Sequence, residues 1–361
     1  MRKRNGLKSA ALAIAAFALV ASACGGDDAD DTASEDTVAE ETTEETTAPL
    51  PGAGVLACMV TDTGGVDDKG FNQISYEGMK KAEAELGVTI DLLESSSDAD
   101  YAPNLQAFAD KGCNITVTVG FLLGDATKAA AEANTDLNYA IVDFAYDPPV
   151  ANARGLVFAT DQPSFMAGYM AAAMTKTGTV ATYGGVNIPP VTVFMEGFRL
   201  GVEYYNAQKG TSVKLLGWDG KDGTFAGNFE SLDDGKNIAK SQADEGADII
   251  FPVAGPVGLG SAQFAKESGG SVRIIGVDVD MSKSNPDAAE VYIASVLKNI
   301  DAAVFAAIKD TVEGTATSDN YVGTLANGGV GVAFTDVPAE IQSEVEAIGA
   351  GIADGSIKIG G

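Results

Sequence analysis

The chain contains no histidine. That absence removes the commonest general base, the Ser-His-Asp and Cys-His arrangements and the usual zinc ligand set. An enzyme would have to work with Asp, Glu or Lys alone, which disfavours catalysis without excluding it. Basic residues are also scarce. Lys and Arg number 23 against 51 Asp and Glu, for a formal net charge of −28. That balance argues against nucleic acid and against an anionic membrane surface as partners. Beyond the N-terminal stretch there is no run of 18 apolar residues, so no transmembrane helix is expected. Cysteine is limited to Cys24, Cys58 and Cys113. The last two lie in or beside candidate strands. Outside the cytoplasm they could pair, or both could be buried thiols acting as small hydrophobes.

The first residues read as an export signal, residues 1–23. Arg2, Lys3, Arg4 and Lys8 form a basic head, and Ala10 to Val20 is an apolar run too short to span a bilayer comfortably. The run ends in Ala21-Ser-Ala-Cys24-Gly-Gly, which resembles a bacterial lipobox with Cys24 as the lipid-modified residue. Ordinary cleavage with Cys24 as a bystander is the alternative. Residues 24–54 then read as a tether. From Gly25 to Gly54 there are ten acidic residues and no basic ones. Such a segment buries too little apolar surface to offset its ordering entropy, and its like charges keep it extended.

Residues 55–361 are too many for one typical core and suit two lobes. Strand and helix patterns alternate from Val55. Strands are predicted at 55–60, 89–93, 115–119, 139–142 and 155–159, with helices at 73–86, 102–111 and 124–134 between the first four. After Asp161 the rhythm restarts. Helices over 165–174, 193–207, 235–245, 258–266 and 298–312 alternate with strands at 179–183, 212–216, 248–253, 272–277 and 293–296. This predicts an α/β fold of two doubly wound parallel-sheet lobes with a cleft and hinge between them. The boundaries expected are 55–158 plus about 292–315 for the first lobe, and 159–291 plus about 316–361 for the second.

The stretch Met59 to Gln73 organises the first lobe. An apolar strand runs into a Gly-rich turn carrying Asp62, Asp67, Asp68, Phe71 and Asn72, and a helix follows. Ligands in open α/β sheets bind just outside the carboxyl ends of strands. A small polar molecule with a flat ring is therefore expected here. For Asp67, Asp68 and Asn72 the alternative is capping of the following helix, which is favoured for Asp67 and open for Asp68. Gly258-Leu-Gly260 fails as a dinucleotide fingerprint because Gln263 stands where a third Gly is needed, and no cofactor is expected.

Several stretches in order resemble the basic membrane protein family of ABC-transporter substrate-binding lipoproteins, which includes purine nucleoside receptors. They are Asp62–Gln73, Pro163–Ala172, Gly197-Phe-Arg-Leu-Gly201, Gly246–Gly260, Ile275-Gly-Val-Asp-Val-Asp280 and Ser295-Val-Leu-Lys298. The chain departs at Met281, where the family often has Gln, at Gly227-Asn-Phe229, and in a longer stretch from Gly217 to Gly227. The resemblance implies a type I periplasmic-binding-protein fold. It also implies a lipid-anchored receptor on the outer face of the cell membrane that passes a nucleoside to an ABC permease. No nucleic-acid partner is expected, and the chain is expected to be a monomer.

A receptor can sandwich a nucleoside's base between aromatic faces and satisfy its edges with Asp and Asn. Phe71 and Phe229 are the expected plates, with Phe198 as a rival second plate that also suits a core position. Asp62, Asp143 and Asn72 are candidates for base or sugar contacts. Asp278 suits two neighbouring hydroxyls. Lys298 could reach the 5′ oxygen or neutralise Asp278, or make only a structural salt bridge. Gly255, Gly258 and Gly260 would allow close backbone approach to the ligand. The competing readings are a receptor for a sugar or another small metabolite, a nucleoside hydrolase using a carboxylate pair, and a surface lipoprotein without a small ligand.

Overall fold

A computed structural model describes residues 49–360. The signal peptide, Cys24 and most of the acidic tether lie outside the described residues. The chain first lays down β1 (Leu56–Thr61), α1 (Phe71–Leu86), β2 (Thr89–Leu93), α2 (Tyr101–Lys111), β3 (Ile115–Val119), α3 (Gly124–Ala133), β4 (Asn138–Val142) and β5 (Ala153–Phe158). It then crosses to a second lobe. There it forms α4 (Asp161–Met174), β6 (Thr179–Gly184), α5 (Pro189–Lys209), β7 (Lys214–Leu216), α6 (Leu232–Asp244), β8 (Ile249–Val253), α7 (Val257–Glu267), β9 (Arg273–Asp278), α8 (Met281–Ser284) and β10 (Tyr292–Lys298). The remaining elements are α9 (Ile300–Val312), β11 (Tyr321–Gly323), β12 (Val330–Phe334) and α10 (Ala339–Ala353).

The two sheets share one plan. Their strand orders are β2-β1-β3-β4-β5-β11 and β7-β6-β8-β9-β10-β12. Neighbours run parallel, except that β10 and β12 are antiparallel. Strands such as Ile115–Val119 and Ile249–Val253 are buried along their whole length. Continuous apolar runs of this kind are what a sheet covered on both faces requires. In the first lobe, α1 and α9 cover one face through Met79, Ala82, Val304 and Ile308, and α2 and α3 cover the other through Leu105, Phe108 and Ala131. In the second, α4, α5 and α10 pack on one face and α6 and α7 on the other.

Cys58 in β1 and Cys113 before β3 form a disulfide with Cα atoms 6.0 Å apart, under the α2 face of the first lobe. The pairing alternative therefore holds. Among the described residues no helix is long and apolar enough to cross a membrane.

Three sequence expectations need correction. The lobe boundaries at 292 and 316 are displaced: β10 lies in the second sheet, while β11 pairs with β5 in the first. The chain thus passes between lobes at 159–160, at Asn299 and at 324–329. Next, residues 50–54 are not tether. The Gly52 N–H donates to the Leu86 carbonyl at 2.7 Å, and Gly52 is buried. The folded body begins before Val55. Finally, β11, β12 and α10 went unrecognised. The first two are edge strands of three and five residues, with Gly328 and Gly329 between them and too few side chains to show a period.

Candidate functional site

The carboxyl ends of both sheets face one interlobe cleft of about 680 Å³, counting space open to solvent at its mouth. Most of the expected residues meet there. Asp62, Asp68, Phe71, Asn72 and Asp143 line it from the first lobe, and Phe229, Gly255, Asp278 and Lys298 from the second.

On the first-lobe side, Asp62 follows β1. Its carboxylate packs over Gly120, where an added Cβ would lie 2.3 Å from Asp62 Oδ2. Asn72 Nδ2 donates to Asp62 Oδ1 at 3.0 Å and to the Thr63 carbonyl at 3.3 Å. Asn72 Oδ1 is buried and has no hydrogen-bond partner among the described residues. Burial lifts the Asp62 carboxyl from its usual 3.8 to about 7, opposed by the Asn72 hydrogen bond and reinforced by nearby Asp68 and Asp143.

Asp68 is the capping residue of α1. Its Oδ1 accepts from the N–H groups of Gly70 and Gln73 at 2.9 and 3.0 Å, and its Oδ2 from that of Asn72 at 2.8 Å. Burial raises its carboxyl pKa against these bonds. Asp67, expected to cap, is exposed instead, because the turn aims the following carboxylate at the free N–H groups. Phe71 is the first residue of α1 and presents its ring to the cleft.

The two lobes contribute equivalent acids. Asp143 directly follows β4 and Asp278 ends β9, each the fourth strand of its sheet. Both are held at positive φ, 68° and 66°. A non-Gly residue there is strained, so these carboxylates sit at positions that local backbone preference opposes. Asp278 is pushed up to about 6, chiefly by burial, with Lys298 lowering it and Asp143 and Asp68 raising it. Lys298 is itself buried. It forms an ion pair with Asp143 rather than with Asp278. Its ammonium lies 4.7, 5.4 and 5.8 Å from the ring centres of Phe71, Phe158 and Phe194.

Phe229 packs against Gly185, where an added Cβ would sit 2.3 Å from two carbons of the ring edge, and an added Cβ on Gly255, at φ 53°, would sit 3.7 Å from the Phe229 carbonyl. Phe198 is not a plate. It is fully buried against Phe251, with ring centres 5.0 Å apart. Phe194, one turn earlier on α5, lines the cleft instead. The helix begins at Pro189, four residues before the sequence pattern shows it, and that early first turn carries Ile188, Pro190 and Val191 to the cleft wall. Gly258 lines not the cleft itself but a smaller pocket beside it that shares Asp68, Gly255 and Asp278, and Gly260 lines neither. Gly258 packs on Pro252, and Gly260 lies against the Leu232 carbonyl to let α7 approach α6. Phe121 and Leu122, which line the cleft from the turn after β3, carried no signal beyond their place at a strand end.

The wall thus combines flat aromatic surface, carboxylates, a buried free amide oxygen and one ammonium. It can hold a planar, polar molecule that is rich in donors. Among the described residues no cluster of His, Cys, Asp and Glu could hold a metal ion.

The chain is similar to proteins of known type along most of its length. The family model described as "ABC transporter substrate-binding protein PnrA-like" matches residues 55–359. "Basic membrane protein A" of Borreliella afzelii is 34% identical over 226 residues, 62% of this chain and 66% of that protein. The chain thus spans just under two thirds of that relative's length. The "ABC transporter nucleoside-binding protein BmpA" of Lactococcus lactis is 29% identical over 325 residues, 84% of this chain and 88% of that protein. A solute-binding protein of an ABC transporter system from Aeropyrum pernix superimposes with a TM-score of 0.76 at 26% identity, over 84% of this chain and 92% of that one. With two like sheets facing a single aromatic and acidic cleft, and a family model covering almost the whole folded body, the chain belongs to the PnrA-like substrate-binding proteins of ABC transporters, a family of receptors rather than enzymes.

Proposed function

We propose that the cleft captures a nucleoside, with a purine as base, and that the protein delivers it to an ABC permease. Substrate-binding proteins of ABC transporters work outside the cytoplasm, and lipidation at Cys24 would hold this one at the outer face of the membrane. It would act there as a monomer. The observation that carries the ligand class is the meeting of Phe71 and Phe229, from opposite lobes, in one cleft with four carboxylates and Lys298. A base between two rings gains about 0.5–1.5 kcal/mol per ring beyond the area it buries. The unpartnered Asn72 Oδ1 and the Asp62 carboxylate can accept from base N–H groups. Asp278 can accept from two adjacent ribose hydroxyls, with Lys298 donating nearby. The name of the Lactococcus relative supports the same class.

Groups from both lobes can bind fully only when the lobes are together, so the ligand interacts differently with open and closed forms and shifts the balance to the closed one. Calorimetry with inosine, guanosine and free ribose tests the reading. The nucleosides should bind one per chain, and ribose roughly a hundredfold more weakly, since it forfeits both ring contacts and the base edge. Ribose binding as tightly as inosine would defeat the stacking argument. Recovery of intact nucleoside after denaturation separates a receptor from a hydrolase.

A further inference from the structure

A second set of contacts joins the lobes outside the cleft wall. The Ser284 hydroxyl donates to the Lys69 carbonyl, and Lys69 Nζ donates to Asn285 Oδ1 at 3.4 Å. Lys69 belongs to the β1–α1 turn of the first lobe, and Ser284 and Asn285 to α8 and its cap in the second. Each side is rigidly built. Lys69 is held at φ 61° by the Asp68 cap, which binds the Gly70 N–H and so bends the backbone around Lys69. Across the gap, Asp280 accepts from Ser282 N–H and Oγ at 3.2 and 2.6 Å and caps α8. Asn285 is buried and tied to the Tyr292 hydroxyl at 3.2 Å.

Both sides are continuous with the cleft. Asp68 lines it and directly precedes Lys69, and Asp278 lines it and precedes the Asp280 cap by two residues. We infer that Ser284 and Asn285 are positioning residues which, through Lys69, latch the closed form and set ligand affinity from outside the cleft wall. The latch forms only when the lobes meet, and a ligand bridging Asp68 and Asp278 holds its two sides in register. It therefore acts on escape of the ligand rather than on capture, because encounter takes place with the lobes apart.

The test uses Ser284→Ala, which leaves the Asn285–Tyr292 bond in place, and Lys69→Met, which keeps the Lys69 carbonyl. Inosine is the probe, and the assignment rests on the nucleoside reading for that choice alone. Combined, the two substitutions should speed inosine release about tenfold, from the loss of one neutral and one charged hydrogen bond. The association rate and the melting temperature of the unliganded chain should stay near wild type. Ser284→Thr should keep wild-type release, since it retains the hydroxyl. Unchanged release in the double variant would overturn the latch. So would a release change matched by a fall in unliganded melting temperature, since that would mark a fold defect. If the wild-type chain binds neither inosine nor guanosine, the nucleoside reading falls separately. The latch contact is then read without ligand from a chain carrying Lys69→Cys and Ser284→Cys under mild oxidation, where transient closure should trap an interlobe disulfide between positions 69 and 284. Trapping supports the contact, and two free thiols after oxidation overturn it.

Discussion

Asp62 and Asp278 are acids kept under conditions their charged forms resist. Burial raises them to about 7 and about 6, above the usual 3.8. A folded acid that binds its proton more tightly than the unfolded chain contributes stability that is complete below the ordinary carboxylate pKa. That contribution is lost as pH rises through the folded value. The unliganded protein should therefore lose stability between pH 4 and pH 7, at least from these two groups. Asp62→Asn keeps an acceptor for Asn72 and removes the charge, so it should raise unliganded stability at pH 8 by about 1–3 kcal/mol. Thermal melts across pH check this; a lower melting temperature for the variant at pH 8 would refute it. Ligand N–H and O–H donors favour the charged form, so affinity should rise over the window in which unliganded stability falls. Calorimetry near pH 6.5 in buffers of different ionisation enthalpy should then show proton release on binding, and the same heat in all buffers would contradict it. Removing Lys298 would leave the mostly buried Asp143 carboxylate without its ion-pair partner.

Among the elements, the pairing of α4 and α5 decides which aromatic reaches the cleft. An added Cβ on Gly168 would lie 2.1 Å from the Phe198 carbonyl, and one on Gly201 would lie 2.0 Å from the Phe165 carbonyl. Backbone therefore rests on backbone, and the approach fixes the rotation of α5. Phe198 is turned into the core and Phe194 toward the cleft. Gly168→Ala should force the helices apart and cost about 2–4 kcal/mol. It should also weaken nucleoside binding, because Phe194 and Val191 move with α5. A thermal melt and a titration on one sample check both; a stable variant with lost binding would mean that the helix contact is not the cause. The spacing of Phe194 and Phe198, four apart on one helix, does not distinguish them. Their difference is a matter of which turn of α5 meets the sheet and which projects past its end.

The whole molecule is two lobes that the chain completes only by returning. The core of the first lobe includes Ile300, Ala303, Val304, Ala307 and Ile308 from α9, which follows β10 of the second. A fragment of residues 49–160 lacks that helix and β11, although it retains Cys58 and Cys113. It should fail to melt cooperatively by circular dichroism, and adding residues 299–323 through a flexible linker should restore the transition. Cooperative unfolding of the bare fragment would show that α9 is dispensable. The same crossings serve the hinge. Three short connections at the base of the cleft let the lobes rotate as bodies, with the Ala159 N–H bonded to the Gly323 carbonyl and the Asn299 N–H to the Gly329 carbonyl.

The alternation of apolar strands with amphipathic helices, read along the chain, determined the two doubly wound sheets, because pattern and period are local properties. Strand-end position was enough to place Asp62, Phe71, Asp143, Phe229 and Asp278 at the cleft, since parallel strands deliver their carboxyl ends to one side. Only the tertiary structure decided which side chains there are partners. It gave Lys298 to Asp143, the α1 cap to Asp68 rather than Asp67, and the cleft wall to Phe194 rather than Phe198. It also sent β10 and β11 to opposite lobes from those expected. Each of these choices depends on distances between segments far apart in sequence, and no local pattern carries that information.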